Sequence, residues 1–377
     1  MNPTPGHESE TPPRRTPSHR LLVYGSTSIV ACGALCNVAD VTIPSSAPFC
    51  CFCDGNGLNF PRQLPMATWG KIPRCLSYYN NTTQGWEILI AQTVHVKSTF
   101  TLASWNINYF SALQAERAKL ILDQVLEGPN TPDVIFFQEV HRKARTSILR
   151  DPKVRHAFFA TDAEDETSFT GVKFTTMTLL SREGFTSGFD SHNGTEGPRG
   201  HDQKPLPVRV ERMKLPSAYR RDALSVDVLK STTTGTFLRL INVHLDSLPE
   251  FWRNRVRQMN MLTNCLREPG CVHGIIAGDF NAVRPEDEKI VEKRKGLLDA
   301  WEELHGTAGP NGHTWGVGTV LGKGLQSGRL DKVVMKGLTP KYIEVLRPGF
   351  IRVSEPDREV SIPWSDHCGL KCTFAIE

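Results

Sequence analysis

The stretch CVHGIIAGDFN at residues 271–281 decides the fold. The run from Gly274 to Phe280 predicts a strand, and its GIIAG portion offers apolar side chains to both faces of a sheet. Such a strand belongs in a sheet that is covered on both sides. Asp279 and Asn281 stand where this strand ends, so the sequence places two polar side chains at the edge of a buried sheet.

Similar apolar runs recur on both sides of this stretch and predict further strands. VIFF at 134–137 is also apolar on both faces. The other predicted strands are Thr101–Trp105, Val134–Val140, Thr175–Ser181, Ser225–Ser231, Phe237–Leu245, Asp331–Met335, Ile343–Leu346 and Gly369–Ile376. Apolar residues at three- and four-residue intervals predict helices at Ser111–Leu126, Arg253–Arg267 and Gly296–Leu304. This pattern favours an α/β fold, a four-layer sandwich of two stacked mixed β-sheets flanked by helices.

Composition divides the 377 residues into two predicted parts. Residues 1–64 begin with a proline-rich polar tail and continue without a regular pattern, which predicts a poorly ordered extension. Residues 65–377 are predicted to form one globular domain. Within it, residues 187–207 are dense in turn formers and are expected to be a long mobile loop.

Charge and cysteine content narrow the class of protein. The net charge is only +4, so a nucleic-acid partner would have to be met by a local basic face. Five of the ten cysteines lie between Cys32 and Cys53, and no histidine lies among them, which favours unpaired cysteines over a zinc site. The apolar run after Leu21 is too diluted to cross a membrane. These features predict an intracellular protein of the nucleus or cytoplasm, with no membrane association and no obligate protein partner.

Polar side chains follow the apolar strands at their ends repeatedly. One such residue is usually a turn residue, but six occurrences in one chain form a candidate site. The positions are Asn106 and Asn108 after TLASW, Gln138 and Glu139 after VIFF, His244 and Asp246 after LRLINV, Asp279 and Asn281 after GIIAG, Asp331 after GLQSGRL, and Asp366 and His367 before the last strand.

Hydrolysis of a phosphoester explains why these residue types would converge. A divalent cation prefers carboxylate and amide oxygens, phosphoryl oxygens accept hydrogen bonds from histidine and amide groups, and the attacking water needs a base. The matching residues are Glu139 for the metal, Asn106, His244 and Asn281 for the phosphate, Asp279 for the water, and His367 held by Asp331 as a charged donor.

Six ordered motifs spread over roughly residues 100 to 375 resemble those of the endonuclease/exonuclease/phosphatase superfamily, whose fold is deoxyribonuclease I-like. Each motif alone is weak, whereas the ordered set is specific. The motifs are SWNIN at 104–108, FFQEV at 136–140, INVHLDS at 241–247, GDFN at 278–281, GRLDKV at 328–333 and SDHCGL at 365–370.

The resemblance implies a Mg²⁺-dependent phosphodiesterase, with Mn²⁺ as a substitute cation. The implied roles are metal ligation by Glu139, support around metal and water by Asn106 and Asp366, deprotonation of water by Asp279, phosphate contacts by Asn281, His244 and His367, and orientation of His367 by Asp331. One position departs from the family pattern, because Asn108 stands where a carboxylate is usual near the metal. A neutral amide there is expected to weaken metal binding at most.

Within the superfamily, the chain is most similar to the tyrosyl-DNA phosphodiesterase 2 group. The resemblance implies that Ser247, Trp315 and Arg284 contact the substrate, and Arg221 in a nearby basic run is a further candidate for substrate binding. It also implies hydrolysis of a 5′-tyrosyl-DNA phosphodiester in DNA repair, with DNA or a DNA–peptide adduct as the partner. A positive wall along the backbone is expected from Arg209, Arg212, Lys214, Arg220 and Arg221.

Other functions use the same catalytic set, since a fold does not fix its substrate. An abasic-site endonuclease is one alternative, and a phosphoesterase of a small inositol or sphingolipid type is another. Ala282-Val283 after GDFN counts against the inositol-polyphosphate phosphatases, which carry Tyr-Arg there. An inactive scaffold of the same fold is the alternative outside enzymes, and it is suggested by Asn108.

Overall fold

The computed structural model describes residues 70–89, 97–185, 208–231, 234–306, 309–355 and 358–376. The predicted extension over residues 1–64, its cysteine cluster and the predicted loop at 187–207 lie outside the described residues. Among the helices of the described ranges, none has the length and apolar character needed to cross a lipid bilayer.

Strands dominate the described ranges. The strands are β1 (Lys71–Arg74), β2 (Leu76–Asn80), β3 (Gly85–Ile88), β4 (Thr99–Asn106), β5 (Val134–Val140), β6 (Phe158–Thr161), β7 (Thr175–Ser181), β8 (Val208–Lys214), β9 (Asp222–Ser231), β10 (Thr236–His244), β11 (Cys271–Asp279), β12 (Leu298–Asp299), β13 (Asp331–Lys336), β14 (Thr339–Leu346), β15 (Phe350–Glu355), β16 (Arg358–Pro363) and β17 (Gly369–Ala375). The helices are α1 (Gln114–Val125), α2 (Arg142–Arg150), α3 (Pro152–Ala157), α4 (Arg182–Phe185), α5 (Trp252–Leu266), α6 (Pro285–Glu288) and α7 (Ala300–His305).

Two large mixed sheets pack face to face. The first, sheet A, has the order β1-β8-β9-β10-β11-β13-β12, and the second, sheet B, has the order β14-β17-β4-β5-β7-β6-β2-β3. Each sheet has a parallel pair near its centre, β10 with β11 and β4 with β5, while the neighbouring strands run antiparallel. Helices flank the two sheets, so the predicted α/β sandwich with two stacked mixed sheets is confirmed.

The core lies between the sheets and under the helices. One apolar cluster joins the inner faces of both sheets, and a second joins the outer face of sheet B to α1, α2 and α3. A buried polar contact also crosses between the sheets, where Gln138 Nε2 donates to Asn242 Oδ1 at 2.8 Å. Because a buried hydrogen bond of this kind is costly to leave unmade, it fixes how far one sheet can slide over the other.

A glycine lets the two central strands of sheet A approach closely. Gly278 has a φ of +139°, and a Cβ atom there would lie 2.0 Å from the carbonyl oxygen of Val243. No side chain fits in that space. Gly278 pairs with Val243 in the register, and the next pair is His244 with Asp279, so the glycine sets the geometry of the strand ends.

The predicted helix at Gly296–Leu304 is wrong at its start. Residues Leu298–Asp299 form the short strand β12, and α7 begins only at Ala300. The Asp299 carboxylate caps α7 by accepting the backbone N–H of Trp301 at 3.0 Å. An aspartate at the N-cap favours extended backbone at its own residue, so the helix begins only at the next residue.

Candidate active site

The carboxyl ends of the two parallel strand pairs bring the candidate residues together. In sheet A, His244 and Asp331 are the two register partners of Asp279. In sheet B, Asn106 is opposite Gln138, so Glu139 follows directly at the end of the pair. The segment before β17 supplies Asp366 and His367.

Asp279 lies at the centre of the group and is buried. Its Oδ2 atom accepts a hydrogen bond from Asn106 Nδ2 at 3.0 Å and lies 3.3 Å from His244 Nε2. Its Oδ1 atom accepts the backbone N–H of Asn281 at 2.8 Å. Burial, reinforced by the negative charge of Asp331, raises the pKa of the Asp279 carboxyl to about 7. A carboxylate with such a pKa accepts a proton readily at neutral pH.

His367 faces Asp279 from the other side. Its Nδ1 atom is 2.8 Å from Asp331 Oδ2, and its Nε2 atom is 3.8 Å from Asp279 Oδ2. Burial alone would lower the pKa of His367, but the charges of Asp331 and Asp279 outweigh burial and raise this pKa well above its ordinary value. His367 is therefore a charged donor at neutral pH.

His244 has the opposite character. Burial and the neighbouring Arg221 lower the pKa of His244 well below its ordinary value, so the ring is neutral. Arg221 Nη2 lies 3.0 Å from His244 Nε2 and 3.3 Å from Ser247 Oγ. Because a guanidinium can only donate, this contact is a hydrogen bond when Nε2 of His244 accepts. The same Nε2 atom also lies 3.3 Å from Asp279 Oδ2, whereas Nδ1 is buried without a hydrogen-bond partner among the described residues.

Glu139 and Asp366 form a second group of oxygen atoms. Glu139 Oε2 accepts the backbone N–H of Tyr109 at 2.9 Å, and its Oε1 lies 3.4 Å from Asn106 Nδ2. Burial, together with the negative charge of Asp366, raises the pKa of Glu139. Asp366 Oδ2 accepts the indole N–H of Trp315 at 3.1 Å. Both carboxylates are half-buried, and carboxylate oxygens are the donors that a hard divalent cation prefers, so these residues fit such an ion.

Ligand atoms of Asp279, Asp331 and His367 also lie within 4.8 Å of one another. The hydrogen bond from His367 Nδ1 to Asp331 occupies two members of that group. We therefore interpret it as a hydrogen-bonded chain, and Glu139 and Asp366 are the carboxylates that could hold a metal ion.

Two of the predicted residues point elsewhere. The Asn108 side-chain oxygen accepts the backbone N–H of Phe110 at 2.9 Å, so this amide closes the turn after β4. Arg284 donates to Glu286 at 3.1 Å and lies over the ring of Trp252. Its side chain is thereby held on the α6 segment.

A cavity of about 1170 Å³ opens beside the site. Glu139, His244, Arg221 and Ser247 are among the residues that line it. Its walls include three aromatic side chains that were not predicted from the sequence, Phe110, Phe174 and Tyr219. Arg221 lies over the rings of Phe174 and Tyr219, and the Phe174 ring stacks on His244.

The predicted positive wall is wrong in two of its members. Arg212 is 2% exposed and donates to the carboxylates of Asp162 and Asp222, so it belongs to the core. Arg209 pairs with Asp227. Of the five predicted cations, Arg220 and Arg221 line the cavity.

Comparisons with known proteins agree with this geometry. The chain matches the sequence profile of the Endonuclease/Exonuclease/phosphatase family over residues 103–367. A search of curated protein sequences found no match.

Several solved structures share the fold. TDP2 from D. rerio, complexed with single strand DNA product, is 21% identical with a TM-score of 0.52, over 74% of this chain and 99% of that chain. TDP2 from C. elegans is 21% identical with a TM-score of 0.52, over 74% and 75% of the respective chains. An endonuclease/exonuclease/phosphatase family protein from Bacteroides thetaiotaomicron is 14% identical with a TM-score of 0.50, over 74% and 98%. The superfamily and the TDP2-like similarity predicted from the sequence are confirmed.

Proposed function

The chain belongs to the endonuclease/exonuclease/phosphatase family and is a phosphoesterase, and from this premise we propose that it hydrolyses a 5′-tyrosyl-DNA phosphodiester with the help of Mg²⁺. The proposal depends chiefly on the cavity, which is lined by Glu139 and His244 from the candidate site together with aromatic and cationic side chains. Cations suit the phosphates of a DNA strand, and aromatic rings suit its bases or a tyrosyl group. A cavity for a small polyphosphate would need cations without this apolar surface.

Glu139 and Asp366, with support from Asn106, would hold the cation. When bound, Mg²⁺ or Mn²⁺ neutralises charge on the phosphoryl oxygens. The attacking water gives its proton to Asp279, whose raised pKa suits a base at neutral pH.

The phosphate is held by donors from both sheets. His367 donates from Nε2, since Asp331 occupies its Nδ1 atom and keeps the ring charged. Arg221 reaches the same region beside His244. Asn281 donates one amide hydrogen to the carbonyl oxygen of Leu245 at 2.9 Å, which orients its amide and leaves a second hydrogen for the phosphate.

A substrate comparison tests this proposal. The purified full chain is offered a 5′-tyrosyl oligonucleotide, an abasic duplex and an inositol polyphosphate, each with Mg²⁺. We expect release of tyrosine from the first to be fastest, and Asp279→Asn to abolish it. Faster cleavage of either other substrate would assign the chain to that alternative, and equal rates for wild type and Asp279→Asn would refute the mechanism.

The aromatic wall is tested separately. Phe110 is 67% exposed, so Phe110→Ala is expected to leave the fold intact. Loss of one stacking partner costs about 1 to 3 kcal/mol, so KM for the tyrosyl oligonucleotide should rise by at least about 5-fold. Phe350→Ala is the matched control, because Phe350 is 53% exposed and is not among the residues that line the cavity. Equal KM values in the two variants would remove Phe110 from substrate binding.

We also propose a nuclear or cytoplasmic location. Four cysteines of the described residues, Cys265, Cys271, Cys368 and Cys372, are buried free thiols. Thiols that stay unpaired are typical of a reducing compartment. Imaging of the tagged chain tests this, and exclusive recovery outside cells would contradict it.

A further inference from the structure

Arg117 in α1 is almost completely buried, and all its hydrogen bonds end on backbone carbonyls. It is 1% exposed. Its bonds run from Nε to Ala112 O at 2.7 Å, from Nη1 to Ile107 O at 2.7 Å and Trp364 O at 2.6 Å, and from Nη2 to Asn108 O at 2.5 Å and Ser111 O at 3.1 Å. One side chain thus uses all five of its donors.

The other fully buried arginines of the described residues differ in one respect. Arg212, Arg239 and Arg255 each hydrogen-bond at least one buried carboxylate, on Asp162, Asp227 and Asp287 respectively. Those three are core ion pairs. Arg117 donates to neutral groups only, although burying a guanidinium costs several kcal/mol. Core ion pairing therefore does not explain why a charged guanidinium is buried at position 117.

The five carbonyls belong to two segments of the chain that carry the candidate site. The first segment, residues 106–113, starts at Asn106, and its Tyr109 N–H contacts Glu139. The second segment, residues 364–367, contains Asp366 and His367. Arg117 Nη1 bonds a carbonyl of each, so a single nitrogen joins the two segments.

The charge of Arg117 also acts on the site. Burial lowers the pKa of its guanidinium to about 10, and the carboxylates of Asp366 and Glu139 favour its charged form. The guanidinium remains charged at neutral pH and attracts the carboxylates of Asp366 and Glu139.

We propose that Arg117 is a positioning residue, which holds segments 106–113 and 364–367 at the separation that lets Glu139 and Asp366 share one cation. The inference rests on the proposed function, since it assigns Arg117 to the same site. A lysine at this position has three donors on one nitrogen, so it can replace at most three of the five hydrogen bonds that Arg117 makes.

The test compares Arg117→Lys with Arg239→Lys in the full chain. Arg239 is equally buried but lies in β10 five residues before His244, which is about 17 Å along the strand. Three quantities are measured: Mn²⁺ binding without substrate, kcat and KM on the phosphoester that wild type hydrolyses, and thermal unfolding.

For Arg117→Lys we expect Mn²⁺ binding to weaken by about 10-fold or more and kcat to fall by about 10- to 100-fold, with KM nearly unchanged. Arg239→Lys should lower the unfolding temperature without changing Mn²⁺ binding or kcat. A folded Arg117→Lys with wild-type Mn²⁺ affinity would overturn the proposal. Because Mn²⁺ binding is measured without substrate, this outcome is separate from any failure of the proposed substrate.

A second variant covers the case in which Arg117→Lys does not fold. Ser365 Oγ donates to Asn106 O at 2.6 Å and is a direct link between the same two segments. Ser365→Ala should weaken Mn²⁺ binding and lower kcat together, by less than Arg117→Lys would. No change in either quantity would show that the separation of the two segments does not govern the site.

Discussion

Asp331→Asn should convert His367 from a charged donor into a neutral ring and thereby shift the pH profile of hydrolysis. Asp331 Oδ2 lies 2.8 Å from His367 Nδ1, and both groups are buried. The charge of Asp331 is the main reason that the pKa of His367 lies well above its ordinary value, against the effect of burial. With an amide in its place, burial prevails and the pKa of His367 falls.

The size of the effect follows from the bond that is lost. A hydrogen bond to a charged group contributes about 1.5 to 3 kcal/mol, which corresponds to roughly 10- to 150-fold in kcat if the contact matters in the transition state. The loss should be larger at about pH 8 than at about pH 6, because acid restores the charge on a ring of ordinary or lowered pKa. The descending limb of the profile therefore moves to lower pH.

The assay is hydrolysis of p-nitrophenyl thymidine 5′-phosphate with saturating Mg²⁺, followed by release of nitrophenol across the pH range. Asp299→Asn is the matched control, since Asp299 is a buried aspartate of sheet A that pairs with Arg329 and Lys332. We expect the control to lose stability while keeping the wild-type profile. If Asp331→Asn retains both the wild-type kcat and the wild-type profile, the role given to His367 is refuted.

Three further outcomes are expected. EDTA should abolish hydrolysis and Mg²⁺ or Mn²⁺, but not Zn²⁺, should restore it; full activity in EDTA would contradict the metal site at Glu139 and Asp366. Gly278→Ala should destabilise the fold by roughly 3 kcal/mol or more in denaturant unfolding, because a Cβ atom would meet the Val243 carbonyl at 2.0 Å; wild-type stability would refute the close approach. Asp227→Asn should cost up to roughly 3 to 5 kcal/mol near neutral pH, because Arg239 then loses its buried carboxylate partner and retains the part-buried Glu268. Burial raises the pKa of Asp227, but Arg239 outweighs burial and the pKa is lowered. The stability from this pair is therefore present above about pH 4, the ordinary pKa of an aspartate, and is lost as the pH falls through the lowered pKa of the folded state. An equal cost of the substitution in strong acid would contradict the pairing.

The central strands were predictable because their physical signal is local. GIIAG and VIFF are apolar on both faces, and such a strand is stable mainly in the middle of a sheet that is covered on both sides. Gln138 and Glu139 could be located as strand-end residues for the same reason. The strands β15 and β16 were missed, since FIRVSE and REVSIP mix polar and apolar residues in a hairpin outside the two large sheets.

The residues whose roles were wrongly predicted or missed from the sequence depend on contacts between distant parts of the chain. Arg212 lies among other charged residues in β8, a pattern that is typical of solvated side chains. Its buried position becomes evident only from its hydrogen bond to Asp162, which lies 50 positions earlier in the chain. Phe174 gains its place beside His244 only when β7 and β10 face each other across the two sheets. Arg117 lies in an ordinary amphipathic helix, and the sequence of that helix does not predict a hydrogen bond to the carbonyl oxygen of Trp364.

The candidate site draws equally on the two sheets. His244, Asp279, Asn281 and Asp331 belong to sheet A or follow its strands, whereas Asn106, Glu139, Asp366 and His367 belong to or adjoin strands of sheet B. The rate of hydrolysis therefore depends on the alignment of the two sheets. The buried hydrogen bond between Gln138 and Asn242 stabilises that alignment. A small slip between the layers would leave every strand intact and yet separate the proposed base from the proposed metal ligands. Mild denaturant should therefore abolish hydrolysis before the circular dichroism of the protein changes.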